Sequence, residues 1–252
     1  MLEAVKSACK KIIRSALASR GWELRRSVAT NGPILPMLSI LFETVTSTYG
    51  VGAVLQIGAN DGLMEDPVHK IIVKLELPAV LVEPLPDTFE RLKQNYAGRK
   101  SIFFENCAVS DKPGLAKIHR ISSTTPGVPA WAHGLASFNR NVLLKHKHWD
   151  AFAHLPGGLD KYIETLEVPV CTVAQLLERN AQISKFTAMQ IDTEGHDLSI
   201  LKSAADANFF PPIINFEHKH LSMADQATGR ELLAAQGYAF LSDSTDTLAY
   251  RA

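Results

Sequence analysis

The sequence predicts an α/β domain built on a mainly parallel sheet, and three observations carry that prediction. Five short apolar runs each stop on a residue able to face a small molecule: AVLQIG at Gly58, AVLVE at Glu83, SIFFEN at Asn106, FTAMQID at Asp192 and IINFE at Glu217. Helix-forming stretches separate most of these runs, the rhythm of crossover connections between parallel strands. The polar stops all fall at carboxyl ends, where ligands sit in an open α/β sheet.

The elements follow in order. Leu2, Val5, Cys9, Ile12, Ile13, Ala16 and Leu17 recur at helical spacing beside Lys6, Lys10 and Arg14, which predicts an amphipathic basic helix. Its expected role is packing on its own domain or on a second subunit, a homodimer contact; peripheral attachment to an anionic membrane is the alternative. Asn31–Gly32–Pro33 breaks the chain, and Leu38, Leu41, Phe42, Val45 and Tyr49 predict a second helix stopped at Gly50. Residues 1–50 therefore read as an N-terminal helical extension and 51–252 as the main domain. In that domain, Asp66–Pro67 reads as a cap and first helical position, and Phe89, Leu92 and Tyr96 carry the next helix. LAKIHRI alternates like an edge strand after Gly114. Residues 122–165 lose the rhythm yet are rich in aromatics, as expected of an acceptor-side insertion or lid. VPVCTV, the helix 174–179, the strand 186–192, a helix from Leu198, the strand 213–217, a helix closed by Gly237, YAFLS and a strand near 247–250 complete the pattern.

With 252 residues, 46% hydrophobic and 21% charged, the chain fits one large folded domain and not a disordered one. No apolar run approaches the ~20 residues of a spanning helix, and no continuous apolar core marks a secretory signal. Cys9, Cys107 and Cys171 are odd in number and lack metal-type spacing, so a reducing, cytoplasmic location is expected. Residues 1–26 hold seven Lys/Arg against two Glu; the remainder holds 19 basic and 24 acidic residues. A basic arm on an acidic body argues against nucleic-acid binding.

The turn Gly58–Ala59–Asn60–Asp61–Gly62 has its last glycine one residue too early for the dinucleotide pattern G-x-G-x-x-G. Its spacing, G-x-N-x-G, looks like the first motif of class I S-adenosylmethionine-dependent methyltransferases. Glu83, followed by Pro84, can accept the paired donors of a ribose diol, and no basic neighbour suits an extra phosphate. Asn106, Ala108 and Val109 close the third strand where an adenine edge would lie.

VLQIGANDG, VEPLPDTFERLKQNY, ENCAVSD, TVAQLLE, QIDTEGHDLSILKSA and INFEHKHL occur in the order of the FkbM-type methyltransferase family. The chain resembles that family over about residues 51–250. The resemblance implies a Rossmann-like class I fold, with a mostly parallel but mixed seven-stranded sheet and helices on both faces. It also implies binding of S-adenosylmethionine and methylation of a hydroxyl. Where the family usually has lysine before its Ile-Asp-x-Glu-Gly motif, this chain has Gln190.

A hydroxyl acceptor must lose a proton during transfer, so a base is expected at the same edge. Asp192 and Glu217 are placed there, with His218 or His196 as the base; Glu194, Asp197 and His220 are further candidates. His196 and His220 are otherwise expected at an exposed loop or helix start, and Glu194–Gly195 as the start of the following helix. Asp192, Glu217 and His218 also admit a divalent metal such as Mg²⁺, which would orient a diol; no metal ligand is assigned. His146–Lys147–His148 is expected to be a solvated loop, because residues two apart do not share a helical face. Ser137 in the insertion is expected to touch cofactor or substrate. The expected partner is a small hydroxylated acceptor: a sugar, glycoside or lipid-linked sugar. The rival functions are a nicotinamide-dependent oxidoreductase, and a non-catalytic nucleoside-binding or scaffold module.

Overall fold

The structure is a computed structural model that describes residues 37–251. The expected basic helix at the N-terminus, and Cys9 with it, lie outside the described residues. The first described element is the helix α1 (Met37–Tyr49), which ends at Gly50 with a left-handed φ of 79°. Phe42 and Val45 on α1 are buried against Val54, Ala188, Ile213 and Leu248. Residues 37–50, expected in the N-terminal extension, therefore pack as part of the main domain.

The main sheet contains β1 (Ala53–Ile57), β2 (Ala79–Val82), β3 (Ile102–Glu105), β8 (Phe186–Ile191), β9 (Ile213–Glu217), β10 (Ala239–Ser242) and β11 (Asp246–Tyr250). The spatial order is β10-β11-β9-β8-β1-β2-β3, and β11 alone runs against the rest. β1, β2 and β9 are buried at every position, as expected for strands covered on both faces. On one face Leu55, Ile57, Met189, Ile191, Ile214 and Phe216 meet α6 (Val173–Arg179), α7 (Asp197–Asp206) and α8 (Met223–Ala234). On the other, Val54, Ala79, Leu81 and Ala188 meet α1, α2 (His69–Lys74) and α3 (Pro86–Asn95).

Local chemistry fixes the helix starts. Asp66 Oδ1 accepts from the N–H groups of Val68 and His69, the capping role expected of it, although regular helix begins two residues beyond Pro67. Thr172 and Gln175 form a reciprocal capping box at α6, and Ser222 caps α8 through the N–H of Asp225. The helix expected around Gly229–Gln236 starts earlier, at Met223, because Ser222 caps it there.

A second sheet has the order β4 (Ala108–Val109), β7 (Ile163–Cys171), β5 (Gly114–Ile121), β6 (Ala136–Ser137). The LAKIHRI stretch is thus not an edge strand: β5 is flanked on both sides, by β7 and β6. Between β5 and β7 the insertion folds into the short helices α4 (Arg140–Leu144) and α5 (Asp150–Ala153) with 3₁₀ turns around them. Ile121, Ala132, Phe152, Leu155 and Leu159 form its own small core, with Trp131 packed against them. Arg120, 2% exposed, fastens the insertion to the main domain: it donates to Asp87 on α3 and to the carbonyl of His133.

Candidate active site at the strand ends

A crevice of about 1040 Å³, open mouth included, lies at the carboxyl ends of β1, β2, β4 and β8. Gly58, Ala59, Asn60, Glu83, Pro84, Ala108, Val109 and Asp192 line it, all of them expected at the site. Cys107, Trp131, Phe138, Gln190 and Glu194 line it as well, so the insertion forms one wall.

The turn after β1 is held by close backbone approach. Gly58 has φ 83°, and a Cβ there would stand 1.8 Å from the carbonyl oxygen of Asp192. Asn60 also has a left-handed φ of 48°, with Oδ1 accepting from the N–H of Asp61. Asp61 and Gly62 stand outside the lining. Asp61 Oδ1 accepts from Leu63 and Met64, while Gly62 (φ 73°) makes room for Leu92 and Tyr96. Their part is to shape the turn.

Glu83 is 4% exposed, and each carboxylate oxygen accepts a backbone N–H: Oε2 from Asn60 at 3.0 Å and Oε1 from Leu85 at 2.9 Å. It ties the β1 turn to the β2 turn. Burial pushes its carboxyl up to about 7, against the two N–H donors and Arg120, which pull it down. The folded protein therefore holds this proton more tightly than the unfolded chain does. Between pH 4.5 and 7 the stability that proton supplies is lost as pH rises, amounting to about 3 kcal/mol once pH exceeds 7. Denaturation at pH 5 and pH 8 should show a smaller loss for Glu83→Gln than for the parent protein. An identical loss in both would remove Glu83 as its source.

Asn106 lies outside the crevice. Its Nδ2 donates to the carbonyls of Glu83 and Pro84 at 2.8 and 3.3 Å, so it clips the β2 turn from outside. Ser137 is buried and also outside the lining; its hydroxyl donates to the Glu194 carbonyl at 2.7 Å and accepts from Asn139. Gln190 is buried and accepts from Asn215 at 3.0 Å, so the position where the family usually has lysine serves a link between β8 and β9.

At the far rim, Asp192 is exposed on the open crevice. Desolvation by the surrounding protein, with the charges of Glu217, Glu194 and Asp197, raises its carboxyl above the ordinary range. Glu217 is 6% exposed and raised too, by burial first and then by Glu194; its Oε1 accepts from Lys219 at 2.9 Å. Asp197 is fully buried and bridges β8 to β9, accepting from Thr193 and from the N–H of Glu217.

The two histidines expected as the base are elsewhere. His218 meets Thr247 at 3.0 Å, on the β11 side, and His196 meets Ser110 at 2.9 Å with Phe138 against its ring. Neither lines the crevice. His220, expected at an exposed loop, has a side chain only 4% exposed, 2.9 Å from Glu194 Oε2. His146, expected in a solvated loop, is 2% exposed and packs edge-on to Trp149 at 4.1 Å. His220 was misjudged because Glu194, the partner beside it, is distant in sequence; His146 packs on the nearby Trp149 and on the distant His220. The fold also brings Cys107 and Cys171 together as free thiols, with sulfurs 3.1 Å apart. No helix among the described residues is long and apolar enough to cross a membrane.

A parallel sheet interrupted by one antiparallel strand, with a glycine turn and an acidic strand end sharing its crevice, is a Rossmann-like α/β fold. Residues 56–240 match the model of the methyltransferase FkbM domain, and the chain belongs to that family. No curated protein matches. Among solved structures, the methyltransferase FkbM of Methylobacillus flagellatus KT is similar with 15% identity and a TM-score of 0.45. That match covers 79% of this chain and 44% of the other, so this chain spans less than half of that relative. The precorrin-6y C5,15-methyltransferase of Geobacter metallireducens is similar with 9% identity and a TM-score of 0.41, over 90% and 93% of the two chains.

Proposed function

We propose that this methyltransferase uses S-adenosylmethionine to methylate a hydroxyl group of a sugar or another hydroxylated small molecule. The observation that carries the reading is convergence: Gly58 and Asn60, Glu83, Ala108 and Val109, and Asp192 line one crevice although they come from four strand ends. In this reading Glu83 accepts the ribose hydroxyls with the lone pairs its two backbone donors leave free. Ala108 and Val109 lie against the adenine. Gln56 Oε1 and Asp66 Oδ2, both buried and unpartnered on the crevice wall, offer acceptors for the amino group of the methionine moiety.

The sulfonium activates its own methyl group, so the protein chiefly aligns acceptor oxygen and methyl carbon; orientation is worth up to ~7–11 kcal/mol. Asp192 is the member of the expected catalytic set that faces the crevice, and it takes the hydroxyl proton. Trp131 and Phe138, from the insertion, give the acceptor an apolar wall and exclude water.

Titration calorimetry with S-adenosylmethionine tests the reading; no binding at millimolar cofactor overturns it, and binding of NADH in its place would revive the oxidoreductase. Glu83→Gln should weaken the cofactor roughly 10–100-fold, the worth of hydrogen bonds to a charged acceptor. Because its carboxyl sits near 7 when the crevice is empty, binding at pH 6 should also release protons, and heats should vary with buffer ionisation. Equal heats in every buffer would remove Glu83 from the ribose.

A further inference from the structure

We propose that His146, Glu194 and His220, with Glu217 adjoining, form a binding site for one divalent first-row transition cation, beside the crevice. One ligand atom each from His146, Glu194 and His220 lie within 4.8 Å of one another, as do those from Asp192, Glu194 and Glu217. Metal–nitrogen bonds of about 2.1 Å place ligand pairs roughly 3–4 Å apart, so small side-chain rotations close such a shell.

Unmet bonding capacity at these atoms points to an ion. His146 is 2% exposed and Glu217 6%, and the His220 side chain 4%. Yet His146 Nε2, Glu217 Oε2 and His220 Nδ1 lack a hydrogen-bond partner. His220 Nε2 lies 2.9 Å from Glu194 Oε2 and 3.8 Å from Glu217 Oε2. At 2.9 Å His220 Nε2 and Glu194 Oε2 pair with each other, which leaves His146 Nε2, Glu217 Oε2 and His220 Nδ1 as the unpartnered atoms. Buried polar atoms are nearly always paired, each orphan costing about 1–3 kcal/mol. A cation that takes one lone pair from each of His146, Glu194 and His220 explains the unpartnered His146 Nε2 and the close His220–Glu194 approach together.

Charge agrees. Asp192, Glu194 and Glu217 are three carboxylates, and Lys219 takes up only Oε1 of Glu217, leaving Oε2 free. A dication balances what remains. Two imidazoles with two carboxylates favour Zn²⁺ or Mn²⁺ over Mg²⁺, which prefers oxygen and water. Gly195 is fitted to the arrangement: with φ 97°, it leaves only 3.2 Å between a would-be Cβ and the Cβ of His220. The ion would adjoin Asp192 and the acceptor end of the crevice. Its binding does not depend on the methyl-transfer reading.

The test uses the full chain stripped with a chelator, titrated with Mn²⁺, Zn²⁺ and Mg²⁺ in separate calorimetric runs without cofactor. One equivalent of Mn²⁺ or Zn²⁺ per chain, bound more tightly than Mg²⁺, is expected. His146→Gln and His220→Gln should each weaken it by roughly tenfold or more, since even an outer partner of a ligand is worth about 10–100-fold. Should a variant fail to fold, spin-echo spectra of Mn²⁺ on the parent protein must show couplings to two histidine nitrogens. No binding of either ion to folded protein, preference for Mg²⁺, or absent nitrogen couplings overturns the proposal. Stripped protein that binds S-adenosylmethionine but no ion refutes this site alone; protein that binds the ion but not the cofactor refutes the methyl-transfer reading alone.

Discussion

Gly58→Ala is expected to cost about 3 kcal/mol of stability or more, with a fall in Tm on the order of 10 °C. The added carbon would stand 1.8 Å from the Asp192 carbonyl oxygen and 2.8 Å from its carbonyl carbon, and backbone cannot swing aside as a side-chain tip can. Three strand ends meet at that turn. Gly58 donates to the Val82 carbonyl at 3.0 Å, and Asp192 donates to the Ile57 carbonyl at 3.0 Å, so relief at one contact strains another. The left-handed φ of 83° adds a second penalty for any residue with a Cβ. Urea denaturation of both proteins measures the effect; a loss below about 1 kcal/mol would mean the turn opens freely and the close approach is not what demands glycine. The motif's first glycine is therefore explained by strand convergence before any ligand is considered.

Asp192→Asn should lower turnover by about 10²–10⁴-fold while changing cofactor affinity only a few-fold. The amide keeps the shape of the carboxylate but takes up no proton, so the substitution isolates proton removal from packing. Single-turnover transfer of a labelled methyl group, to whichever hydroxylated acceptor a panel identifies, gives the rate; calorimetry gives the affinity. Turnover within a few-fold of the parent protein would remove Asp192 as base. A parallel loss of cofactor binding would instead make it a cofactor ligand.

Ser137 illustrates a residue expected at the site that acts one step behind it. Its hydroxyl holds the Glu194 carbonyl from the insertion, and Glu194 itself lines the crevice. Asn106 is similar: legible as a polar strand end, it turns its amide onto the carbonyls of Glu83 and Pro84. In both cases the sequence located the neighbourhood, while the direction of the side chain depended on which backbone groups stood bare nearby.

The sequence by itself determined the sheet and the edge at which its crevice opens. A strand covered on both faces needs an unbroken apolar run, and that run ends where water or ligand begins; both are local properties of five or six residues. Hence AVLQI, AVLV and IINFE could be read directly, and with them Gly58, Glu83 and Asp192, which line the crevice; Glu217, expected there too, ends β9 outside the lining. Tertiary structure alone decided which histidines are buried. His218 and His220 are two residues apart, yet one joins Thr247 on β11 and the other is buried against Glu194. His146 arrives from the insertion to meet His220, seated on Trp149. Burial of a polar ring is set by groups far along the chain, and a pattern with a period of two or 3.6 residues carries no information about those groups.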